Sequence, residues 1–312
     1  VPETETLEGL VTCVHPSHYE VRTKEGTYRC TLRGNLERNR QDVVRPAAAG
    51  DRVDVTIASE EEGAIDAIHD RKNRISRPAP EAPHKEQIIA ANVDQLIGVQ
   101  AFGEPSFTPI LLDHSLAAGE QFNIPGCTVC FNKLDLVDDP DRILEELPDY
   151  EDIGYTVLRT SATEGTNLDR LRERMKSKTS VIVGPSGSGK TSLLNALNPD
   201  LDLDVGRLGR RTRKGTHRTT TMTLHEVEPD SFAIDTPGVD FLQLWHCDFE
   251  QVQYHYPDFR SLRRDCKFDD CLHLDEPDCA VKQAVDRGDL HPLRHESYRK
   301  AVEKLRDQQL HE

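Results

Sequence analysis

Apolar positions alternate along the first third of the chain. Leu7–Val14, Tyr19–Arg22, Thr27–Leu32, Arg52–Ala58 and Gly63–Ile68 are short runs of this kind, separated by Gly, Asp, Asn or Pro. Five short strands in about seventy residues predict a small β-barrel of OB-like type, a pattern that an SH3-like barrel shares. Pro78, Pro80 and Pro83 then crowd RPAPEAPHKE, which predicts an extended linker over 78–87. From Ile88 the period changes. Val93–Phe102 and Cys127–Phe131 are nearly continuous apolar runs, as in strands buried on both faces. Pro109–Phe122, Arg142–Glu146 and Leu168–Met175 have helical spacing, and Tyr155–Leu158, Ser180–Val183 and Phe232–Ile234 are further short strands. Alternating strands and helices predict a parallel sheet in an α/β domain. Beyond about residue 241 the pattern is mostly helical around an irregular Cys/His segment, with helices over Val281–Arg287 and His295–Gln309. The domain reading is a barrel over 1–77, a linker over 78–87, an α/β domain over 88–240 and a helical domain over 241–312.

The chain of 312 residues is long enough for two or three such domains. It has no apolar run long enough to span a membrane and no basic-then-apolar leader at its start, so the expected location is the cytosol. The net charge of −16 argues against coating nucleic acid by bulk charge but leaves room for a local basic patch. Eight cysteines are too few for a disulfide scaffold.

Chemistry enters with GPSGSGKTS at 184–192, a match to G-x-x-x-x-G-K-[ST] between an apolar strand and a helix. In the loop Gly184-Pro185-Ser186-Gly187-Ser188-Gly189 the glycines would let backbone N–H groups turn toward phosphate oxygens at a helix N-terminus. Lys190 would reach the outer phosphates, the Thr191 hydroxyl would bind Mg²⁺, and Ser192 completes the loop. Asn132-Lys133-Leu134-Asp135 follows another apolar strand. A carboxylate there accepts from guanine N1–H and the 2-amino group, donors that adenine lacks, which selects GTP. Ser161 and Ala162 in Thr160-Ser161-Ala162 supply a second guanine-contacting loop. Asp235-Thr236-Pro237-Gly238 ends a strand, where Asp235 would hold Mg²⁺ through water and the Gly238 N–H would meet the γ-phosphate.

In ordinary small GTPases the P-loop comes first and NKxD late, whereas here NKLD and TSA precede the P-loop and DTPG. A circular permutation reconciles this order with one shared site. Between P-loop and DTPG, residues 205–224 carry Arg207, Arg210, Arg211, Arg213, Lys214 and Arg218 and no acidic residue. This stretch is a candidate RNA-phosphate contact. It also offers Thr219 and Thr220 as Mg²⁺ ligands and His217 as the group that positions water, since Val239 follows DTPG where Ras-like enzymes place Gln. Cys266-x4-Cys271-x-His273-x5-Cys279 is a Cys₃His set, which predicts one structural Zn²⁺. Cys127 and Cys130 lie in an apolar strand and read as core. His291, His295 and His311 read as surface, and Arg294, Arg299, Lys300, Lys304 and Arg306 as a basic helix side.

Together the barrel, NKLD, TSA, GPSGSGKTS, DTPG and the CKFDDCLHLDEPDC segment resemble the RsgA (YjeQ) family of circularly permuted ribosome-assembly GTPases over nearly the whole chain. The resemblance implies an OB-fold, a permuted GTPase domain and a zinc-binding helical domain. It further implies a GTPase acting late in small (30S) ribosomal subunit maturation, with rRNA as partner and turnover to GDP stimulated by the subunit. The family's catalytic His lies in a G-x-H-T-T segment, whereas here Arg218 stands between His217 and Thr219. Rival readings are a P-loop ATPase or kinase and a non-enzymatic zinc-dependent RNA-binding module. A monomer without membrane contact is expected.

Overall fold

The computed structural model describes residues 6–34, 36, 42–205, 222–235 and 240–311. The chain divides into two compact units. One comprises the chain up to Gln95 with Asp169–Ile182 and Thr191–Asp240; the other comprises Leu96–Leu168, Val183–Lys190 and the chain from Phe241.

In the first unit the alternating segments form β1 (Thr6–Val14), β2 (Tyr19–Thr23), β3 (Thr27–Leu32), β4 (Arg52–Ile57) and β5 (Glu62–Ile68). They pair as β1-β2-β3-β5-β4, and β4 returns to β1, closing a five-stranded barrel. Val11, Val21, Cys30, Val53, Val55 and Ile65 fill it. A register shift between Val11 and Cys13 changes the alternation, so Val11 and Val14 both belong to this core while Cys13 does not.

The expected linker is a correction. Residues 74–91 form a hairpin, β6 (Arg74–Ala79) with β7 (Ala82–Ala91), turning at Pro80-Glu81. Proline is tolerated at a bulge or on a two-stranded ribbon, where a missing N–H costs little. Pro78 sits beside the register shift at Pro78/Ala79. The hairpin is stitched to the barrel's long connection by bridges Val43–Glu86 and Ala49–Ala90, and Ile88 and Ala91 are buried with Ala48.

The same unit holds β11 (Thr179–Val183), β12 (Met222–Glu228) and β13 (Ser231–Asp235). Strand β13 runs parallel to β11, with Asp235 opposite Ile182. Strand β12, which the apolar pattern did not suggest, is antiparallel to both β13 and β1. The barrel's first strand thereby joins a sheet outside the barrel, at Cys13↔Thr223 and Val14↔Met222.

In the second unit β8 (Gln95–Ala101), β9 (Cys127–Asn132) and β10 (Thr156–Arg159) are parallel. Helix α1 (Pro109–Gln121) lies between β8 and β9 in sequence, and α2 (Pro140–Glu145) follows β9. Leu168–Met175 forms α3, and the P-loop leads into α4 (Lys190–Leu197); both helices belong, after their first residue, to the first unit. Toward the C-terminus, α5 (Ala280–Arg287) and α6 (Pro292–His311) pack on Tyr256, Phe259 and Tyr298. Among the described residues no helix is long and apolar enough to cross a membrane.

Arg294 departs from the basic-face reading of the last helix. It is only 1% exposed and sits 2.7 Å from both Asp113 and Asp258, with its guanidinium 4.7 Å from the Tyr256 ring centre. This buried Asp–Arg–Asp set ties α6 to α1. His114 reinforces the joint through its Nε2, 3.0 Å from the Ser297 carbonyl. His295 is half-buried, with Nε2 2.7 Å from the His273 carbonyl oxygen.

Candidate nucleotide site and metal centre

The NKLD, TSA and P-loop segments meet at one side chain. Asn132 closes β9 and is 1% exposed. Its Nδ2–H donates to the Ser188 carbonyl in the P-loop at 3.0 Å. Its Oδ1 accepts from the Ala162 N–H and from Thr160 Oγ, each at 3.2 Å. The Ala162 N–H, in the expected second guanine-contacting loop, thus donates to Asn132. Lys133 adopts the left-handed conformation (φ 65°) and donates from Nζ to the Glu104 carbonyl. Leu134 begins a 3₁₀ turn, its N–H bonded to the Thr160 carbonyl at 3.0 Å. Asp135 is exposed and accepts a short hydrogen bond from Ser161 Oγ, which aligns the carboxylate and leaves its other oxygen available.

The P-loop has no room for larger residues at two points. A Cβ at Gly184 would lie 2.1 Å from the Val99 carbonyl oxygen, and one at Gly189 (φ 95°) 2.1 Å from Asn132 Nδ2. Pro185 and Ser188 close a turn through Ser188 N–H to Pro185 O at 3.1 Å, while Ser186 and Gly187 are exposed. The Lys190 ammonium bridges the loop, donating to the Gly184 and Pro185 carbonyls at 2.6 and 3.2 Å. Buried Ser188 Oγ has no hydrogen-bond partner among the described residues. Thr191 is buried and Ser192 half-buried in the first turn of α4. The backbone of Asp235 ends β13. Gly238 and the whole basic segment, including Arg207, Arg210, Arg211, Arg213, Lys214, His217, Arg218, Thr219 and Thr220, lie outside the described residues.

A second cluster is built by the C-terminal unit. The ligand atoms of Cys266, Cys271, His273 and Cys279 all lie within 4.8 Å of one another. Cys266 Sγ is 3.9 Å from Cys279 Sγ, and His273 Nδ1 is 3.5 and 3.4 Å from these two sulfurs. A tetrahedron with Zn–S of about 2.3 Å and Zn–N of about 2.0–2.1 Å has edges of about 3.5–3.8 Å, so the set fits that ion. His273 Nε2–H donates to Gln253 Oε1 at 3.1 Å, which leaves the Nδ1 lone pair to the cluster. Burial pushes the His273 imidazole down to about 4 and keeps it neutral. Burial, with the neighbouring thiols, pushes Cys271 up to about 12, so only a cation would hold the thiolates. Neither Gln253 nor Glu276 is marked by any motif in the sequence. Gln253 is fixed by Nε2 donating to Glu250 O and by Arg263 Nε donating to its Oε1. The Glu276 carboxylate accepts the Leu272 and Leu274 N–H groups, both at 2.8 Å, and shapes the ligand loop. Cys127 and Cys130 are buried core thiols, pushed up to about 12 and about 11.

A P-loop reached after NKLD and TSA, and behind a five-stranded barrel, defines a circularly permuted GTPase. Residues 68–245 match the RsgA GTPase family and residues 8–65 the RsgA N-terminal domain. The small ribosomal subunit biogenesis GTPase RsgA of Actinobacillus pleuropneumoniae is 36% identical over 306 residues, covering 96% of this chain and 86% of its own. The RsgA 2 protein of Bacteroides thetaiotaomicron is 33% identical, over 95% and 96% of the two chains. Among solved structures, YjeQ from Thermotoga maritima superposes with a TM-score of 0.76 at 31% identity, covering 96% and 99%. YloQ, described as a circularly permuted GTPase, gives 0.71 at 30%, covering 99% and 98%. The chain belongs to the RsgA family of GTPases and is a GTP hydrolase, which sets aside the ATPase, kinase and non-enzymatic readings.

Proposed function

We propose that this GTPase binds GTP in the loops gathered by Asn132 and uses its hydrolysis to leave the maturing small ribosomal subunit. The observation that carries the reading is the triple hydrogen bonding of Asn132, which fixes the guanine-side and phosphate-side loops to one another. Asp135, oriented by Ser161, pairs with guanine N1–H and the 2-amino group. Lys190 exchanges its two carbonyl partners for β- and γ-phosphate oxygens, and the loop N–H groups from Gly184 to Ser192 surround the phosphates. Thr191, Asp235 and one of Thr219 and Thr220 would hold Mg²⁺, which when bound would supply positive charge to the phosphates. His217 orients the attacking water, Gly238 donates its N–H to the γ-phosphate, and the products are GDP and phosphate.

The basic residues from Arg207 to Arg218 contact rRNA together with the barrel. One Zn²⁺ held by Cys266, Cys271, His273 and Cys279 is structural, because all four positions of a tetrahedron are filled by protein. The protein acts in the cytosol as a monomer. The test is GTP turnover by wild type, Lys190→Ala and Thr191→Ala, each with and without small ribosomal subunits. Stimulation by subunits in wild type and its loss in both variants is expected. Normal turnover by both variants would overturn the site assignment.

A further inference from the structure

A second group of metal-ligating side chains lies in the barrel, in segments the nucleotide site does not use. The hairpin between β1 and β2 turns tightly at Pro16-Ser17, where the His15 N–H bonds the His18 carbonyl at 2.9 Å. The register shift in β1 takes Cys13 out of the barrel core and sets it opposite Glu20 on β2. His15, two residues on, falls on the same face as Cys13. The sulfur of Cys13, a ring nitrogen of His15 and a carboxylate oxygen of Glu20 lie within 4.8 Å of one another. His15 Nε2 is already 2.9 Å from Glu20 Oε1. The His18 ring stacks on His15 at 4.3 Å between centres.

From this juxtaposition we propose that Cys13, His15 and Glu20 form a second, open site for a zinc-class divalent cation. Thiolate, imidazole and carboxylate together suit a borderline cation rather than Mg²⁺ or Ca²⁺. Three protein ligands leave a fourth position for water or for His18 after a rotation of its ring. His15 and His18 also line a groove with Thr31 and Arg45. An ion pair between half-exposed His15 and Glu20 contributes little by itself, and it gives no reason for a buried thiol within reach of both. On binding, Cys13 gives up its thiol proton to solvent. His15 presents the Nε2 lone pair instead of sharing a hydrogen with Glu20, and Glu20 turns its oxygen to the metal.

The site would have a structural consequence. Cys13 Sγ lies 3.5 Å from Thr223 Oγ1, and Thr223 is the second residue of β12. A cation held here would tie the end of β1 to the start of β12.

The test is metal content of the full-length chain after equilibration with excess zinc and removal of free ion, compared for wild type, His15→Ala, Glu20→Gln and Cys13→Ser. Wild type should retain about two zinc ions and each variant about one, the remaining ion being the Cys₃His one. Cobalt should report the same, with the thiolate charge-transfer band of the second equivalent lost in Cys13→Ser. His15 and Glu20 are partly exposed, so their variants keep the comparison valid if Cys13→Ser fails to fold. Wild type binding about one ion, or His15→Ala and Glu20→Gln binding as many as wild type, would overturn the proposal. GTP turnover should be unchanged in these two variants, which separates this result from the fate of the nucleotide-site assignment.

Discussion

Replacing Asn132 by Ala tests the idea that one side chain holds the nucleotide loops together. The substitution removes three hydrogen bonds, to Ser188 O, Ala162 N–H and Thr160 Oγ. Thr160 keeps its contact with Cys130 Sγ at 3.3 Å, so two backbone groups lose a buried partner. Each such loss costs about 1–3 kcal/mol, and the middle of that range gives about 4 kcal/mol for the pair. Some of this is lost as fold stability, because the bonds join segments of the protein to one another. The remainder appears as disorder in loops that must be ordered again on binding. If about 2–3 kcal/mol falls on binding, affinity for GTP drops by about 30- to 150-fold. GDP should weaken in parallel, since the bonds position loops rather than read the γ-phosphate. Asn132→Asp separates the two sides. It keeps an acceptor for Ala162 but faces the Ser188 carbonyl with a second acceptor, so it should bind as poorly as the Ala variant. Titration with a fluorescent guanine nucleotide, with thermal melting alongside, measures both parts. Affinity within about threefold of wild type at an unchanged melting temperature would refute the reasoning.

Asp135→Asn should weaken GTP by at least about a hundredfold through loss of two charge-assisted hydrogen bonds, and should favour xanthosine triphosphate, whose 2-carbonyl accepts from an amide. Competition between the two nucleotides checks it. Arg294→Met leaves Asp113 and Asp258 unpaired and should destabilise the C-terminal unit by about 3–5 kcal/mol, read by urea unfolding. Burial already pushes Asp113 up to about 6 in the presence of Arg294. Without the guanidinium the folded carboxyl binds its proton still more tightly than the unfolded one. The variant's stability should therefore fall as pH rises from about 4 through the raised folded value, and its deficit should be smaller at pH 5 than at pH 8. Gln253→Leu removes the acceptor for His273 Nε2–H and should lower zinc affinity by about 10- to 100-fold, measured by competition with a chelator.

The chemistry was legible wherever its determinants are local. The four residues of the Cys₃His cluster lie within one short loop, and each nucleotide motif follows an apolar run that the structure shows as a strand. The barrel strands were legible because one face of each is buried, as in the alternation of Leu7, Gly9 and Val11. Long-range partners were not. Arg294 reads as one more cation on a basic helix, because the aspartates that bury it come from distant segments. The β6–β7 hairpin was hidden by its prolines, and β12 by His225, Glu226 and Glu228 interleaved with Met222, Leu224 and Val227.

The order of the motifs was the feature least like a working GTPase, and the topology shows why it does no harm. NKLD follows the C-terminal end of β9, TSA that of β10, the P-loop that of β11 and DTPG that of β13. Within each unit these strands run parallel, β9 with β10 and β11 with β13. In sheets of this kind ligands gather at the carboxyl ends of the strands. A motif's place is then set by the strand it ends, not by its turn in the sequence. Moving the chain termini changes which loop comes first and leaves every motif at its strand end. Asn132 bonded to Ser188, 56 residues later, is the direct physical consequence.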